Sequence, residues 1–295
     1  MRSVTYNIQW GRGRDGRIDL DRIADTIRDA DIVALQEVER NWRPQVHTDQ
    51  VARLAELLPN HHWIFGASVD LNGSSVAPDG RVTTQRRQFG NMILSKMPII
   101  SSRVLPLPTL PVSGEINDQS SLLEAVIEQG GISLRLYNTH LNHLSRRQRL
   151  MQIERLMVFI AEATQRGGLI SGANRTGLAA GDEWIVLPDG KLPAMPSSIM
   201  LMGDFNMGTD TPEYDAITGP RSPSSGRITE IDRFADALTL AGLPEDEGVT
   251  FPGTQPRRLD HCFLSVDLIP HLKSAWIDDA AIGSDHQPVW AEIDL

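Results

Sequence analysis

The segment from residue 198 to residue 206 constrains the fold of this chain more than any other. It reads Ser-Ile-Met-Leu-Met-Gly-Asp-Phe-Asn, an apolar run that passes through Gly203 to an acid and an amide two residues apart. A short apolar run bounded by polar residues predicts a strand that is covered on both faces. Side chains alternate along a strand, so Asp204 and Asn206 are expected on one side, where both could contact the same ion or phosphate. The alternative is a turn in which these two side chains cap backbone groups.

Five further strand-like segments carry polar side chains at comparable positions. These side chains are Asn7, Glu37, Asn138 with His140, Asp260, and Asp285 with His286. Loops at strand ends often build the functional site of folds made of sheets and helices, so the six segments are expected to converge. For each residue taken alone, a surface, capping or core role is the alternative.

The spacing of apolar residues predicts alternating strands and helices along the whole chain. Strands are predicted at 3–9, 31–38, 62–65, 90–95, 99–107, 122–128, 132–137, 257–264 and 288–293, besides the strand that leads to Asp204. Helices are predicted at 18–28, 49–58, 145–164, 211–217 and 234–241. Gly130 and Gly131 predict a hairpin turn, whereas residues 70–87 and 218–227 are expected to be exposed loops.

Length and composition allow a large core in one domain or two. The chain has 295 residues, of which 40% are hydrophobic, and we expect one catalytic domain over residues 1–295. Residues 167–196 are rich in Gly, Ala, Asn and Pro, with a possible hairpin at Asp189 and Gly190. This segment is interpreted as an insertion, either a lid or a decoration.

Charge and cysteine content limit the classes of partner and of metal site. The formal net charge is −10, so the field of the whole molecule repels polyanions, although a local basic groove stays compatible with it. Cys262 is the single cysteine, which excludes an intrachain disulfide and a thiolate-rich metal site. Because the sequence shows neither a signal-like N-terminus nor an apolar run of membrane-spanning length, a soluble, cytoplasmic protein is expected.

Carboxylates and amides at the strand ends favour a hard cation, Mg²⁺ or Mn²⁺. Glu37 is the strongest candidate ligand. Such an ion can polarise a phosphoryl oxygen, while a carboxylate such as Asp204 orients or deprotonates the attacking water. A histidine beside an aspartate can hold a protonated imidazole against a phosphate oxygen. The residue types therefore point to metal-assisted hydrolysis of a phosphoester.

Seven short motifs, taken in order, resemble the endonuclease/exonuclease/phosphatase superfamily. This superfamily includes DNase I-like nucleases, abasic-site endonucleases, inositol-polyphosphate 5-phosphatases and neutral sphingomyelinases. The motifs are Thr5-Tyr-Asn-Ile8, Leu35-Gln-Glu-Val38, Gly90-Asn-Met-Ile-Leu-Ser95, Asn138-Thr-His-Leu141, Gly203-Asp-Phe-Asn206, Arg258-Leu-Asp-His261 and Ser284-Asp-His286. They extend over nearly the whole chain. Many members carry an arginine where this chain has residues 117–124, and the insertion has no counterpart that we can assign.

The resemblance implies a fold of the α/β (α+β) class. It is a four-layer sandwich in which two packed mixed sheets are flanked by helices, as in DNase I. By position, the resemblance places Asn7, Glu37 and Asp285 at the metal, and Asp204 and Asn206 at the water nucleophile and the phosphate. It also implies that His140 contacts the phosphate and that His286 is a catalytic histidine oriented by Asp260. From the residues alone, Asp260 could equally serve a second metal.

The expected activity is hydrolysis of a phosphodiester, or a phosphomonoester, that depends on Mg²⁺ or Mn²⁺. Net charge favours a small-molecule or lipid substrate. The first alternative is an endonuclease or exonuclease acting on DNA or RNA, because eight arginines form local basic clusters. They are Arg81, Arg86, Arg87, Arg146, Arg147, Arg149, Arg257 and Arg258. The second alternative is a catalytically silent binding module with the same fold.

Overall fold

The structure of the chain is a computed structural model that describes residues 1–43, 49–170 and 195–295. The strands are β1 (Arg2–Asn7), β2 (Ile32–Arg40), β3 (His62–Asn72), β4 (Ser75–Val76), β5 (Val82–Thr83), β6 (Arg86–Ser95), β7 (Ile99–Pro106), β8 (Ser121–Gln129), β9 (Ile132–His140), β10 (Ile199–Asp204), β11 (Arg221–Ser222), β12 (Gly226–Arg227), β13 (Phe234–Asp236), β14 (Asp260–Ser265), β15 (Leu272–Ile277) and β16 (Val289–Ile293). The α-helices are α1 (Leu20–Ile27), α2 (Gln50–Leu57), α3 (Arg146–Arg166), α4 (Pro212–Thr218) and α5 (Ala237–Leu240). Short 3₁₀ turns occupy Gln9–Gly11 and Val266–His271.

The long strands form two six-stranded mixed sheets. The first sheet has the order β15-β16-β1-β2-β6-β3, and the second has the order β13-β14-β10-β9-β8-β7. Within the first sheet β1 and β2 are parallel, within the second β9 and β10 are parallel, and the remaining pairs of both sheets are antiparallel. Each sheet is therefore built around one parallel pair of central strands.

The fold has four layers, and three apolar clusters lie between them. The cluster between the two sheets includes Ala34 and Met202, and a second cluster packs α1 and α2 on the first sheet through residues such as Leu35. A third cluster packs α3 and α4 on the second sheet and includes Tyr137. Ala34 and Leu35 are neighbours on β2 that lie in different clusters, because a strand covered on both faces needs apolar side chains at every position. The predicted four-layer sandwich of two mixed sheets is confirmed.

Polar residues just before four of the helices cap them as their types predict. The side chain of Asp19 accepts hydrogen bonds from the backbone amides of Asp21 and Arg22 at the start of α1. Asp49, Ser145 and Thr211 cap α2, α3 and α4 in the same way. These bonds satisfy amides that have no partner within the helix, so the N-termini predicted from the sequence lie within two residues of those observed.

Three predictions of local structure are wrong. Residues 70–87 and 218–227 are not plain loops, since they hold the hairpins β4–β5 and β11–β12. Residues 234–236 pair with β14 as an edge strand before α5 begins. Strand β15 was not predicted at all. Each of these strands pairs at an edge or in a two-residue ladder, and such pairing depends on a partner that is distant in the sequence or on turn geometry rather than on periodicity.

The insertion predicted at residues 167–196 lies mostly outside the described residues, and so does its hairpin at residues 189 and 190. Helix α3 ends at Arg166, and Gly167 follows it with a positive φ of 73°. Among the described helices, none is both long enough and apolar enough to span a membrane.

The topology brings the polar strand ends to one edge of the sandwich. In the second sheet Asp204 pairs with His140 of the parallel strand β9 and with Asp260 of the antiparallel strand β14. In the first sheet Asn7 ends β1 and pairs with Gln36 of the parallel strand β2. Parallel strands end at the same edge and their antiparallel neighbours begin there, so the predicted convergence follows from strand order.

Gly203 places β10 very close to β9. A Cβ atom at this position would overlap the backbone carbonyl oxygen of Thr139, and the φ of Gly203 is +152°. We expect Gly203→Ala to lower the free energy of unfolding by about 3 kcal/mol, because the strand must move away from its neighbour. Urea denaturation followed by circular dichroism measures the change.

Gly130→Ala is the matched control for this change. Gly130 also has a positive φ, +63°, but no atom lies near the position of its missing Cβ. We expect a loss of about 1 kcal/mol there, from backbone strain alone. Equal losses in the two variants would contradict the close approach of β9 and β10.

Candidate functional site

Asn7 lies at the centre of a cluster of predicted site residues. Its Nδ2 donates to Glu37 Oε1 at 3.0 Å and to Asp204 Oδ2 at 3.0 Å. The two acceptors belong to different sheets, since Glu37 lies on β2 and Asp204 ends β10. Asn7 is 1% exposed. The structure therefore joins the two sheets at this edge through one amide and two carboxylates.

A β-bulge directs Glu37 toward this cluster. The register between β2 and β6 shifts between Leu35 and Val38, and Glu37 has a positive φ of 59°. Such a conformation is uncommon for glutamate and indicates a backbone held by its surroundings. Burial raises the pKa of Glu37, while His140 and the hydrogen bond from Asn7 act in the opposite direction. Glu37 is thus a partly buried carboxylate, whose charged form a nearby cation would favour.

Asp204 is a buried carboxylate between two histidines. Its Oδ2 lies 3.4 Å from His140 Nε2 and 3.7 Å from His286 Nε2. Burial acts to raise the pKa of Asp204, but His286, His140 and the Asn7 hydrogen bond outweigh it and lower the pKa below the usual value. Asp204 therefore stays ionised at neutral pH, as a group that orients or deprotonates water must.

Asn206 follows Asp204 in a strained backbone conformation. Its φ is 51°, and its backbone amide donates to Asp204 Oδ1 at 2.9 Å. The side-chain Nδ2 lies 3.1 Å from His140 Nε2 and donates to the carbonyl of Leu141 at 3.0 Å. Asparagine tolerates the left-handed region better than most residues. Strand β10 ends at Asp204, so the predicted alternation does not reach Asn206. Asp204 instead caps the backbone amide of Asn206, as in the turn alternative, and both side chains approach His140 Nε2.

Asp260 and His286 form a buried pair beside Asp204. His286 Nδ1 lies 2.8 Å from Asp260 Oδ2, and the ring of Phe251 packs against the imidazole with centroids 5.0 Å apart. Burial acts to lower the pKa of His286, but Asp260 and Asp204 raise it to about 10. For the Asp260 carboxyl, burial has the opposite effect and raises the pKa. The imidazole is therefore a cation at neutral pH, with Nε2 turned toward Asp204.

Asp285 contacts a different set of residues. Its Oδ2 accepts from Gln9 Nε2 at 2.6 Å, and its Oδ1 accepts from Ser284 Oγ at 3.3 Å. Gln9 and Trp10 both have positive φ values, 44° and 47°. Within the described residues, Asp285 forms no direct hydrogen bond to Glu37 or Asn7. The three residues predicted at the metal thus share one edge of the sandwich, with Gln9 between Asn7 and Asp285.

Sequence reasoning missed several residues that orient the site. Gln9 donates its backbone amide to Asn7 Oδ1 at 3.0 Å, and Ser284 Oγ donates to the Asn7 carbonyl at 2.7 Å. Thr250 Oγ1 accepts the backbone amide of Asp260 at 3.1 Å. In the sequence, Ser284 was marked only as part of the motif Ser284-Asp-His286 and Gln9 only by lying two residues after Asn7, whereas Thr250 carried no signal.

Asn138 does not belong to the cluster, and it lies two residues before the end of β9, which runs to His140. It is fully buried between the sheets, where its Nδ2 donates to the carbonyls of Leu35 and Met92. Its Oδ1 accepts from Gln36 Nε2 at 2.8 Å. These bonds cross from one sheet to the other, so Asn138 has a role in joining the sheets.

The arrangement fits a hard cation. Asp204, Asp260 and His286 offer ligand atoms that all lie within 4.8 Å of one another, a group that could hold a metal ion. Asp260 Oδ1 is buried without a hydrogen-bond partner in the described parts of the chain. His286 already lies between Asp260 and Asp204, whereas Glu37 accepts a single side-chain hydrogen bond, from Asn7, among the described residues. Oxygen donors without thiolate ligands suit Mg²⁺ or Mn²⁺.

Comparisons with known proteins agree with this architecture. A family model described as the endonuclease/exonuclease/phosphatase family matches residues 4–286. No curated protein matches the sequence. A solved endonuclease/exonuclease/phosphatase from Beutenbergia cavernae is similar at 22% identity and a TM-score of 0.64, over 100% of this chain and 71% of that chain.

Two other solved structures are similar at lower identity. One is the mannosyl-6-phosphatase Bt3783 of Bacteroides thetaiotaomicron, at 17% identity and a TM-score of 0.63, over 100% of both chains. The other is TDP2 of D. rerio complexed with a single-strand DNA product, at 16% identity and a TM-score of 0.60, over 100% of this chain and 99% of that chain. At these identities the likeness shows the fold.

Proposed function

The chain belongs to the endonuclease/exonuclease/phosphatase family, and we propose that it hydrolyses a phosphodiester, or a phosphomonoester, of a small-molecule or lipid substrate. The observation that carries this proposal is the ionised Asp204 between His140 and His286. Asp204 is the base that orients or deprotonates the attacking water. Residues 1–295 act as one catalytic domain.

The two histidines and Asn206 serve the phosphate in this proposal. The cationic His286 stabilises the negative charge that develops on the phosphoryl oxygens, and Asp260 fixes its orientation through Nδ1. His140 and Asn206 lie 3.1 Å apart and form the opposite side of the phosphate position. All these groups are placed before substrate binds, because the sheets hold them.

The proposed metal, Mg²⁺ or Mn²⁺, is held by Glu37 with Asn7 and Asp285. An ion held there would supply polarisation of a phosphoryl oxygen and would offset negative charge. Asn7 turns its Nδ2 toward the carboxylates of Glu37 and Asp204, so its amide must rotate to offer Oδ1 to a cation. Glu37 needs no such change, since its Oε2 is free of hydrogen bonds among the described residues.

A small or lipid substrate is favoured because most of the arginines that suggested a nucleic-acid groove are already paired. Arg146 and Arg149 bind the buried Glu213, and Arg258 binds Asp236. Arg81 and Arg86 are paired with Asp79 and Asp70. Arg149 and Arg258 are also largely buried, with side chains 13% and 3% exposed, so they are little accessible to a nucleic-acid backbone.

A nuclease is the second candidate, and the similarity to a structure with a DNA product supports it. Binding of a single-stranded oligonucleotide at increasing salt separates the two. The affinity of a nucleic-acid enzyme for the oligonucleotide falls steeply with added salt, because salt suppresses the release of counterions. Binding that is absent, or insensitive to salt, favours the small substrate.

The experiment that tests the proposal is hydrolysis of bis-p-nitrophenyl phosphate with Mg²⁺ or Mn²⁺, with and without chelator. We expect Glu37→Gln to raise the metal concentration for half-maximal rate by more than about tenfold, because a carboxylate ligand is lost. Glu56→Gln, at an exposed position on α2, is the control and leaves that concentration unchanged. Turnover that survives chelation, or an unaltered metal requirement in Glu37→Gln, would overturn the metal assignment.

A further inference from the structure

A second buried aspartate–histidine pair lies directly behind the site. His261 follows Asp260 on β14, so its side chain points to the opposite face of the strand. His261 Nδ1 lies 3.0 Å from Asp236 Oδ2, and both side chains are almost completely buried. The roles proposed above for the site residues do not use this pair.

The other ring nitrogen of His261 holds the loop that carries Asn206. Its Nε2 lies 3.2 Å from the backbone carbonyl oxygen of Met207, the residue after Asn206. A carboxylate and a carbonyl oxygen are both acceptors, so a proton on either ring nitrogen has a hydrogen-bond partner. His261 therefore ties the edge strand β13 to the loop after β10.

Asp236 is itself anchored on several sides. Its Oδ2 also accepts from Tyr214 Oη at 3.0 Å and from Arg258 Nη2 at 2.5 Å, and its Oδ1 caps the amide of Leu238 at 2.9 Å. Burial acts to raise the pKa of Asp236, but Arg258 and His261 lower it to about 2. This carboxylate is a fixed acceptor that sets the orientation of the His261 ring.

Aromatic packing leaves the His261 ring no other orientation to adopt at low cost. Phe263 stacks on the imidazole with ring planes 12° apart and centroids 5.2 Å apart. Phe205, on the same loop as Asn206, packs edge-on against the ring at 5.9 Å. Rotation of the imidazole would break both hydrogen bonds inside this apolar shell.

The loop needs such a support because Asn206 is strained. Residues held at a positive φ cost of order 1–3 kcal/mol and persist only when surrounding contacts determine them. On one side Phe205 donates its amide to the carbonyl of Leu259 at 2.9 Å, and on the other His261 holds Met207. Relaxation of φ at Asn206 would turn its amide away from His140.

We propose that His261, oriented by Asp236, is a positioning residue that sets Asn206 in its place beside His140 and Asp204. This inference rests on the proposed hydrolysis. His261 is buried and faces away from Asp260 across β14, so it does not face the proposed phosphate position. Its effect reaches the reaction through the conformation of Asn206.

The test compares His261→Phe with His61→Phe. Phenylalanine keeps the ring and its packing but removes both hydrogen bonds of His261. His61 is the matched control, since it is also buried and donates from Nε2 to the carbonyl of Ala30 at 2.9 Å, far from the loop in sequence. For bis-p-nitrophenyl phosphate we expect kcat of His261→Phe to fall by about 10- to 100-fold with KM little changed. His261→Gln, whose amide can donate to Met207, should recover part of the loss.

Hydrogen exchange of the Asn206 amide, followed by NMR, gives a readout that is independent of turnover. That amide is held by Asp204 Oδ1 only while the turn is formed, so it should exchange faster in His261→Phe than in the wild type or in His61→Phe. Unchanged exchange, or an equal fall of kcat in both phenylalanine variants, would overturn the positioning role. If the wild type turned over no phosphoester, exchange alone would decide this inference, and the proposed function would fail separately.

Discussion

Asp204→Asn is expected to lower kcat for bis-p-nitrophenyl phosphate by about 10³-fold. The substitution keeps the size of the side chain but removes the negative charge that faces His140 and His286. Both oxygens of Asp204 accept hydrogen bonds, from the backbone amide of Asn206 and from Asn7 Nδ2. In the asparagine variant the NH₂ group must therefore face one of these two donors, which breaks that hydrogen bond. The variant loses both the base and the orientation of the side chain.

Asp210→Asn is the control for Asp204→Asn. Asp210 is exposed and lies six positions further along the same loop region, so its loss changes the net charge equally. The steady-state rates of the two variants, with circular dichroism to show folding, give the comparison. A rate for Asp204→Asn within a fewfold of the wild type would remove Asp204 from the reaction.

His286→Ala is expected to lower kcat by about 10²- to 10³-fold, the loss typical for removal of one preorganised donor. It deletes a buried cation and leaves Asp260 and Asp204 without the charge that lies between them. His62→Ala, at an exposed position, is the control and leaves the rate unchanged. Comparable rates in the two variants would show that His286 serves the fold rather than the reaction.

The pH profile provides a second check on His286. Because the pKa of His286 is raised to about 10, the ring is an imidazolium at neutral pH. It loses its proton only as pH rises through about 10. We therefore expect kcat of the wild type to show no fall caused by deprotonation of His286 between about pH 7 and pH 9. A fall centred near the ordinary histidine value, about 6.5, that disappears in His286→Ala would contradict the two-carboxylate setting of this ring.

Which polar side chains meet at this edge of the sandwich was only partly predictable from residue type and position. Apolar runs that end in Asp204, Glu37 and Asn7 predicted strands delivering ligands to one edge, and the structure brings these three side chains within hydrogen-bonding distance through Asn7. Asn138 carried the same local signal but joins the two sheets instead. A single strand end does not show whether its side chain faces the site or the opposite sheet.

Other parts of the site had no local signal. The residue pattern along β2 gives no indication of the bulge that turns Glu37. The positive φ of Asn206 depends on hydrogen bonds to Asp204, His140 and Leu141. The edge strands β13 and β15 form because neighbouring strands offer unpaired backbone groups. His261 looked like one residue of a motif, yet its partners lie 25 and 54 positions away.

The sequence by itself determined the apolar runs, the helix caps, the oxygen and nitrogen donor set, and the order of motifs that marks the family. These depend on contacts within a few residues or on side-chain chemistry, which the sequence states directly. Only the tertiary structure decided which donors meet, which carboxylate stays ionised and which histidine is a cation. Those properties arise from distances between segments remote in the chain and from burial, and both exist only once the two sheets pack together.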